Sequence, residues 1–160
     1  MDLGRFNSPF ISENEELTCI DYSHDLNLVA VGGINGKVEF WNMDNRNKVI
    51  DLKPQNTDDE ISCIRFEPNS LNVAVGTHNG KVLLYDMRYP LPMLTLTHHY
   101  RLPINAIKFH EASRKILTSD KKIIKIYDKN DGKLFTNIEP KSAINDIELC
   151  GRNTGLIFAP

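Results

Sequence analysis

The sequence predicts an all-β protein assembled from repeated units of four short strands. Three observations carry that prediction. Residues 17–52 ("LTCIDYSHDLNLVAVGGINGKVEFWNMDNRNKVIDL") and 61–96 ("ISCIRFEPNSLNVAVGTHNGKVLLYDMRYPLPMLTL") align without a gap, and 104–138 follows one residue shorter. Each copy alternates β-branched and aromatic runs with turn residues. No stretch shows a 3.6-residue apolar stripe longer than a turn or two.

The first copy opens with "LTCIDYS", turns at "HDLN", and runs apolar through "LVAVGG". Asn35-Gly36 then precedes "KVEFW", and "KVIDL" closes the unit. The second repeats the plan through "SCIRF", "EPNS", "NVAVGT", Asn79-Gly80, "KVLLYD" and "PMLTL". In both, Asn-Gly between strand-like runs predicts a type I′ hairpin with positive φ at both residues. The third copy replaces that turn by Asp120-Lys121-Lys122, and residues 144–160 begin a fourth copy and stop. Forty-four residues separate Trp41 from Tyr85 and 42 separate Tyr85 from Tyr127.

Gly36-Lys37 and Gly80-Lys81 also invite a phosphate-loop reading, which the spacing excludes. The first glycine of G-x-x-x-x-G-K-[ST] is replaced by Val31 or Val75, and the magnesium-binding hydroxyl by Val38 or Val82. No helix follows to aim its N-terminus at a phosphate. These glycines turn the chain.

Composition fits one globular domain: 160 residues, 41% hydrophobic and 25% charged. No apolar run approaches a membrane span and the N-terminus lacks a secretory signal, so no membrane association is expected. Cys19, Cys63 and Cys150 are odd in number and without C-x-x-C spacing, which points to a reducing compartment and to neither zinc nor a disulfide framework. The net charge of −2 is uneven. Residues 1–100 hold 8 Lys/Arg against 14 Asp/Glu, residues 101–141 hold 10 against 5, and the rest contribute −1. Such asymmetry is more often an ordinary solvated surface than the mark of a face that meets nucleic acid or an acidic partner.

The period, the four strands and the aromatic–Asp endings (Trp41-Asn42, Tyr85-Asp86, Tyr127-Asp128) resemble the WD40 repeat of β-propellers. The expected fold is a WD40-type propeller segment of about three and a half blades, too few for the usual ring, hence a piece of a longer protein. Two departures matter. The Gly-His dipeptide before the first strand is missing, its nearest analogue being His98-His99. The turn aspartate of the family's His–Ser/Thr–Asp–Trp network is replaced by Asn35 and Asn79. The comparison therefore implies that this buried polar network is absent and that blade packing is apolar.

The wording of the repeats is more specific. "VGTHNGKVLLYDMR", "HHYRLPINAIKF", "ILTSDKKIIKIYDKNDGKLFTNIEP" and "INDIEL" resemble the propeller of the nucleolar protein 10 family, whose fungal members serve ribosome biogenesis. "GRF" and "NGKVEFWNMDNRNKV" fit the family's G-R-[FY] and G-x-V-E-x-W-x-x-x-x-R-x-x-V. The resemblance runs from Gly4 to Ala159 and is strongest over 75–148. It implies a nucleolar, non-enzymatic scaffold of the small-subunit processome, active in 18S rRNA maturation. Its implied partners are other processome proteins and pre-ribosomal or U3 RNA, with no cofactor and no small-molecule substrate. Family members carry further blades and a charged C-terminal region.

No candidate for catalysis emerges. His24, His78 and His110 fall in turns or strand ends, and only His98 or His99 is expected to dock on a neighbouring blade. Cys19 and Cys63 share a repeat position with Ala106 and Asp146, which reads as small, buried and inert. Asp58-Asp59-Glu60 reads as a solvated loop. The basic set of the third copy is the strongest candidate for RNA-backbone or acidic-partner contact: Arg114 and Lys115 at one turn, Lys121 and Lys122 at the next, and Lys125 outward between Ile124 and Ile126. Phe109, Tyr127 and Phe135 are expected in the core, leaving no exposed ring for base stacking. Tyr85-Asp86-Met87-Arg88 resembles the W-D-x-R ending by which some WD40 proteins dock on the adaptor of cullin-4-type ubiquitin ligases. An adaptor using Asp86 and Arg88 is thus the alternative, beside a plain turn brace.

Overall fold

The computed structural model describes residues 9–53, 59–150 and 156–158. Three four-stranded antiparallel sheets follow one another, each a meander in chain order. The first holds β1 (Leu17–Ser23), β2 (Leu28–Gly33), β3 (Val38–Asn42) and β4 (Lys48–Leu52). The second holds β5 (Ile61–Phe66), β6 (Asn72–Thr77), β7 (Lys81–Asp86) and β8 (Leu94–Thr97). The third holds β9 (Ala106–His110), β10 (Lys115–Ser119), β11 (Ile124–Asp128) and β12 (Leu134–Ile138). β13 (Glu148–Cys150) pairs with β14 (Leu156–Phe158) in a fourth. The described residues contain no helix.

The sheets stack face on face, and the core lies between them. Phe40, Leu52 and Val38 of the first sheet meet Ile61, Ile64, Phe66 and Tyr85 of the second, with Phe40 and Phe66 edge to face at 5.9 Å. Ala74, Val82, Leu84 and Leu96 of the second meet Ile104, Ile107, Ile116 and Tyr127 beside the third. Residues at or just before the start of the first strand of each sheet add a polar rung. Thr18 Oγ1 donates to the Ile61 carbonyl, Ser62 Oγ to that of Ile104 at 2.7 Å, and Asn105 Nδ2 to that of Ile144 at 2.8 Å. Blade packing is therefore not purely apolar, contrary to the sequence expectation.

The hairpins also differ from expectation. Gly33 pairs with Lys37 (N–O 3.0 Å) and Gly36 N bonds Gly33 O at 3.2 Å, giving three-residue loops rather than two-residue type I′ turns. Only the glycine takes positive φ, 75° at Gly36 and 74° at Gly80. Its left-handed backbone closes a type I turn, a job that leaves Asn35 and Asn79 in ordinary conformations. Strand twist is satisfied equally well, so the Asn-Gly signal marked the hairpin but not its loop length.

Gly32 and Gly76 are present for a different reason. A Cβ on Gly76 would stand 2.6 Å from Cys63 Sγ and 2.9 Å from Ile104 Cβ, and one on Gly32 would stand 2.7 Å from Cys19 Sγ. Cys19 and Cys63 are each half-buried as residues, their sulfurs laid against these glycines. Burial pushes both thiols up, that of Cys63 to about 12, the state of an inert thiol.

Candidate functional site

The second-to-third-strand turn of each blade and the connection entering that blade meet at one end of the sheet. In the third blade this end is built on a wholly buried polar network. His98, Thr118 and Asp120 are each 0% exposed. His98 Nδ1 lies 2.9 Å from Asp120 Oδ2, and Nε2 lies 2.8 Å from Thr118 Oγ1. Burial depresses the His98 pKa, against the opposing pull of Asp120. The imidazole is thus neutral, donating from Nδ1 to the carboxylate and accepting the Thr118 hydroxyl at Nε2. The other Asp120 oxygen accepts the amides of Lys122 (2.7 Å) and Ile123 (2.9 Å).

The expected absence of a His–Ser/Thr–Asp network is corrected here. Asn35 and Asn79 do not supply it, but the shortened third turn does, with Asp120 at its start and His98 arriving without a preceding glycine. Tyr127 stands where the tryptophan would, its hydroxyl donating to the Thr97 carbonyl at 3.2 Å. Lys125 reaches the same carbonyl at 3.0 Å. At 8% exposure, with its pKa lowered by burial, Lys125 does not alternate outward. The inward turn follows from register: Lys125 pairs with Thr118, whose face packs toward the entering chain.

Register puts Glu39 of the first blade and Leu83 of the second in the Lys125 position, opposite Val31 and Val75. Glu39 is 0% exposed and accepts from Ser12 Oγ (2.8 Å), Glu13 N (3.0 Å) and Trp41 Nε1 (3.2 Å). Glu13 in turn clamps Lys37 and Lys48, each at 2.5 Å, which hold its carboxyl down at about 2. Single-sequence reading missed this strap. The buried carboxylate sits in "VEFW", indistinguishable there from a solvated alternation. Asp59 is likewise buried rather than solvated, accepting from Asn79 Nδ2 at 2.8 Å, while Asp58 lies outside the described residues.

The five-residue basic set does not form one surface. Arg114 and Lys115 lie where β9 turns into β10, whereas Lys121 and Lys122 lie where β10 turns into β11. The five residues of β10 separate the two groups by about 17 Å. At the first end the lysines are matched: Lys115 with Asp128 at 2.8 Å, Lys133 with Asp131 at 3.0 Å, and Lys129 with Glu67. Lys115 also stands 4.9 Å over the ring of Phe135, which is 68% exposed rather than core. At the second end no described carboxylate pairs with Lys121 or Lys122.

Arg88 forks onto Asp86 within its own turn, Nε to Oδ1 at 2.9 Å and Nη2 to Oδ2 at 2.5 Å. The guanidinium and carboxylate of the W-D-x-R-like ending thus satisfy each other, as a turn brace does. Among the described residues no group of three or more His, Cys, Asp or Glu is placed to hold a metal ion.

Meander sheets stacked face on face, with a buried His–Thr–Asp triad beneath the loops, define a WD40 β-propeller. The solved WD40 repeats of RRP9 superpose with a TM-score of 0.77 over 86% of this chain and 43% of theirs, at 12% identity. The profile described as "Nucleolar protein 10-like, N-terminal domain" matches residues 1–160. Nucleolar protein 10 of Xenopus tropicalis is 35% identical over 99% of the chain, and ribosome biogenesis protein ENP2 of Saccharomyces cerevisiae 33% identical over 99%. The chain belongs to the nucleolar protein 10 family. It spans about a quarter of the length of these relatives, 24% and 23% respectively.

Proposed function

We propose that this chain is part of a non-enzymatic scaffold for ribosome biogenesis, working in the nucleolus in assembly of the small-subunit processome and maturation of 18S rRNA. The observation that carries the reading is membership, over the full 160 residues, in a family whose members are named for the nucleolus and for ribosome biogenesis. The physical character of the domain agrees with it. The buried titratable groups are tied into packing: His98, Asp120, Glu39 and Lys125 each hold one segment against another. Function on such a fold resides in the loops that it holds in place. Partners are processome proteins, with pre-ribosomal or U3 RNA met through its backbone.

The test is recovery of the full-length tagged protein from nuclear extract, with and without ribonuclease, followed by identification of proteins and RNA. Co-recovery of U3 RNA and pre-ribosomal proteins is expected. Recovery of a cullin ligase without them would overturn the scaffold in favour of the adaptor.

A further inference from the structure

The buried network positions something exposed. Asp120 holds His98 through one oxygen and the Lys122 and Ile123 amides through the other, so a single carboxylate fixes two loops against each other. His98 N also bonds Gly80 O at 2.8 Å, and the following turn closes through Arg101 N to His98 O at 3.3 Å. Arg101 takes φ 51°, and its Cα would lie 2.9 Å from a Cβ on Gly80, so this turn is seated directly on the second blade. A third loop joins them: Ile144 N bonds Lys121 O at 3.0 Å, and Tyr100 Oη donates to Glu139 at 3.4 Å. Lys141 lies between those two anchors.

Five exposed residues and one partly exposed ring result. His99, Arg101, Lys121, Lys122 and Lys141 are exposed, and Tyr100 is 38% exposed. The His99 and Tyr100 rings stand 4.0 Å apart, and the Lys122 ammonium sits 4.9 Å from the centre of the Tyr100 ring. Among the described residues none of the four cations has a carboxylate partner, whereas the lysines at the opposite end of the blade are paired.

We infer that this end of the third blade is a docking site for single-stranded RNA, with His99 and Tyr100 as the stacking element and Arg101, Lys121, Lys122 and Lys141 as phosphate contacts. Unpaired cations give backbone affinity. Rings among them add stacking that an acidic peptide cannot use and that a duplex, its base faces covered, cannot reach. The loops are already held by buried bonds, so little ordering cost falls on binding. The inference deepens the scaffold reading and rests on it for the RNA-containing setting.

The test uses the full-length protein and a 12-nucleotide single-stranded RNA carrying 4-thiouridine, titrated at several KCl concentrations and photocrosslinked. Crosslinks are expected within residues 98–101. Tyr100→Ala should weaken binding about tenfold. Lys121→Ala with Lys122→Ala should flatten the log–log salt dependence by about 1.4. Arg114→Ala with Lys115→Ala, at the opposite end, should change neither. Crosslinks confined to other segments, an equal loss in the opposite-end variant, or an Asp/Glu-rich peptide that binds these loops when the RNA does not, would each overturn it. Recovery of pre-ribosomal particles by the wild-type protein is read separately: intact recovery without crosslinks in residues 98–101 sinks only this site, and lost recovery sinks the scaffold.

Discussion

Replacing Asp120 by alanine should loosen the third blade selectively. The carboxylate is 0% exposed and accepts three donors, His98 Nδ1 at 2.9 Å and the amides of Lys122 and Ile123 at 2.7 and 2.9 Å. The Lys122 amide lies in an exposed turn and can find water. The imidazole N–H and the Ile123 amide are left buried without acceptors. Each such orphan costs about 1–3 kcal/mol, and the void beneath the turn adds to it, so the loss is about 3–5 kcal/mol. Amide hydrogen exchange of β10 and β11 in the full-length protein reads this locally. At about 1.4 kcal/mol per tenfold, their exchange should accelerate by roughly two to three and a half orders of magnitude, with β2 and β3 unchanged. Asp120→Asn, which keeps an acceptor oxygen for the turn amides, should fall between. Acceleration below about threefold in Asp120→Ala would refute the claim that this carboxylate ties the two loops together.

Four further outcomes are expected. Gly76→Ala should cost about 1–3 kcal/mol, because its Cβ meets Cys63 Sγ at 2.6 Å and Ile104 Cβ at 2.9 Å; unchanged exchange in β5 and β9 would contradict that packing. Cys63, its thiol pushed to about 12 by burial, should resist iodoacetamide at pH 8 until the protein is unfolded, and alkylation within minutes in the native state would contradict the burial. His98 is held below its ordinary pKa by burial, so the folded state binds fewer protons than the unfolded chain. The stability it lends is complete above about pH 6.5 and lost as pH falls, a dependence of β10 exchange that His98→Gln should abolish. Arg88→Ala should leave recovery of pre-ribosomal particles unchanged, since the guanidinium is turned onto Asp86; loss of a cullin-ligase partner with the fold intact would instead support the adaptor.

The strands were legible because their signal is local. Alternation in "SCIRF" and the aromatic endings at Tyr85 and Tyr127 depend on neighbours a few residues away, and the repeat multiplies the evidence. The charged interior was not legible because it is settled by chain from elsewhere. Glu39 is buried only because Ser12 and Glu13 arrive over it, and Lys125 only because the Thr97 carbonyl does. His98 and Asp120 were each visible in the sequence. Their partnership was not, because the expected position for the acid was the Asn-Gly turn of the longer copies. Tyr100 was not legible for a related reason: it lies between β8 and β9, and its place beside Lys122 is set by the docking of His98 rather than by a strand pattern.

Glu39, Leu83 and Lys125 occupy one place in three blades and carry three chemistries, and this bears on how near-identical repeats keep their order. Leu83 belongs to the apolar cluster between the first and second sheets. Glu39 faces donors, the Ser12 hydroxyl, the Glu13 amide and the Trp41 indole, and Lys125 faces an acceptor, the Thr97 carbonyl. A blade shifted by one repeat would bring the glutamate or the lysine into the apolar place of Leu83, and one shifted by two would set a lysine against donors or a glutamate against a carbonyl. Either leaves a buried charge unmatched, a fault worth several kcal/mol, whereas the apolar strands themselves would fit almost unchanged. Repetition therefore supplies the backbone of the stack, and these three side chains distinguish one junction from the next. The same division of labour holds at the surface. The hairpin scaffold recurs in every described blade, but only the third, where Asp120 joins two loops, brings unpaired lysines beside exposed rings.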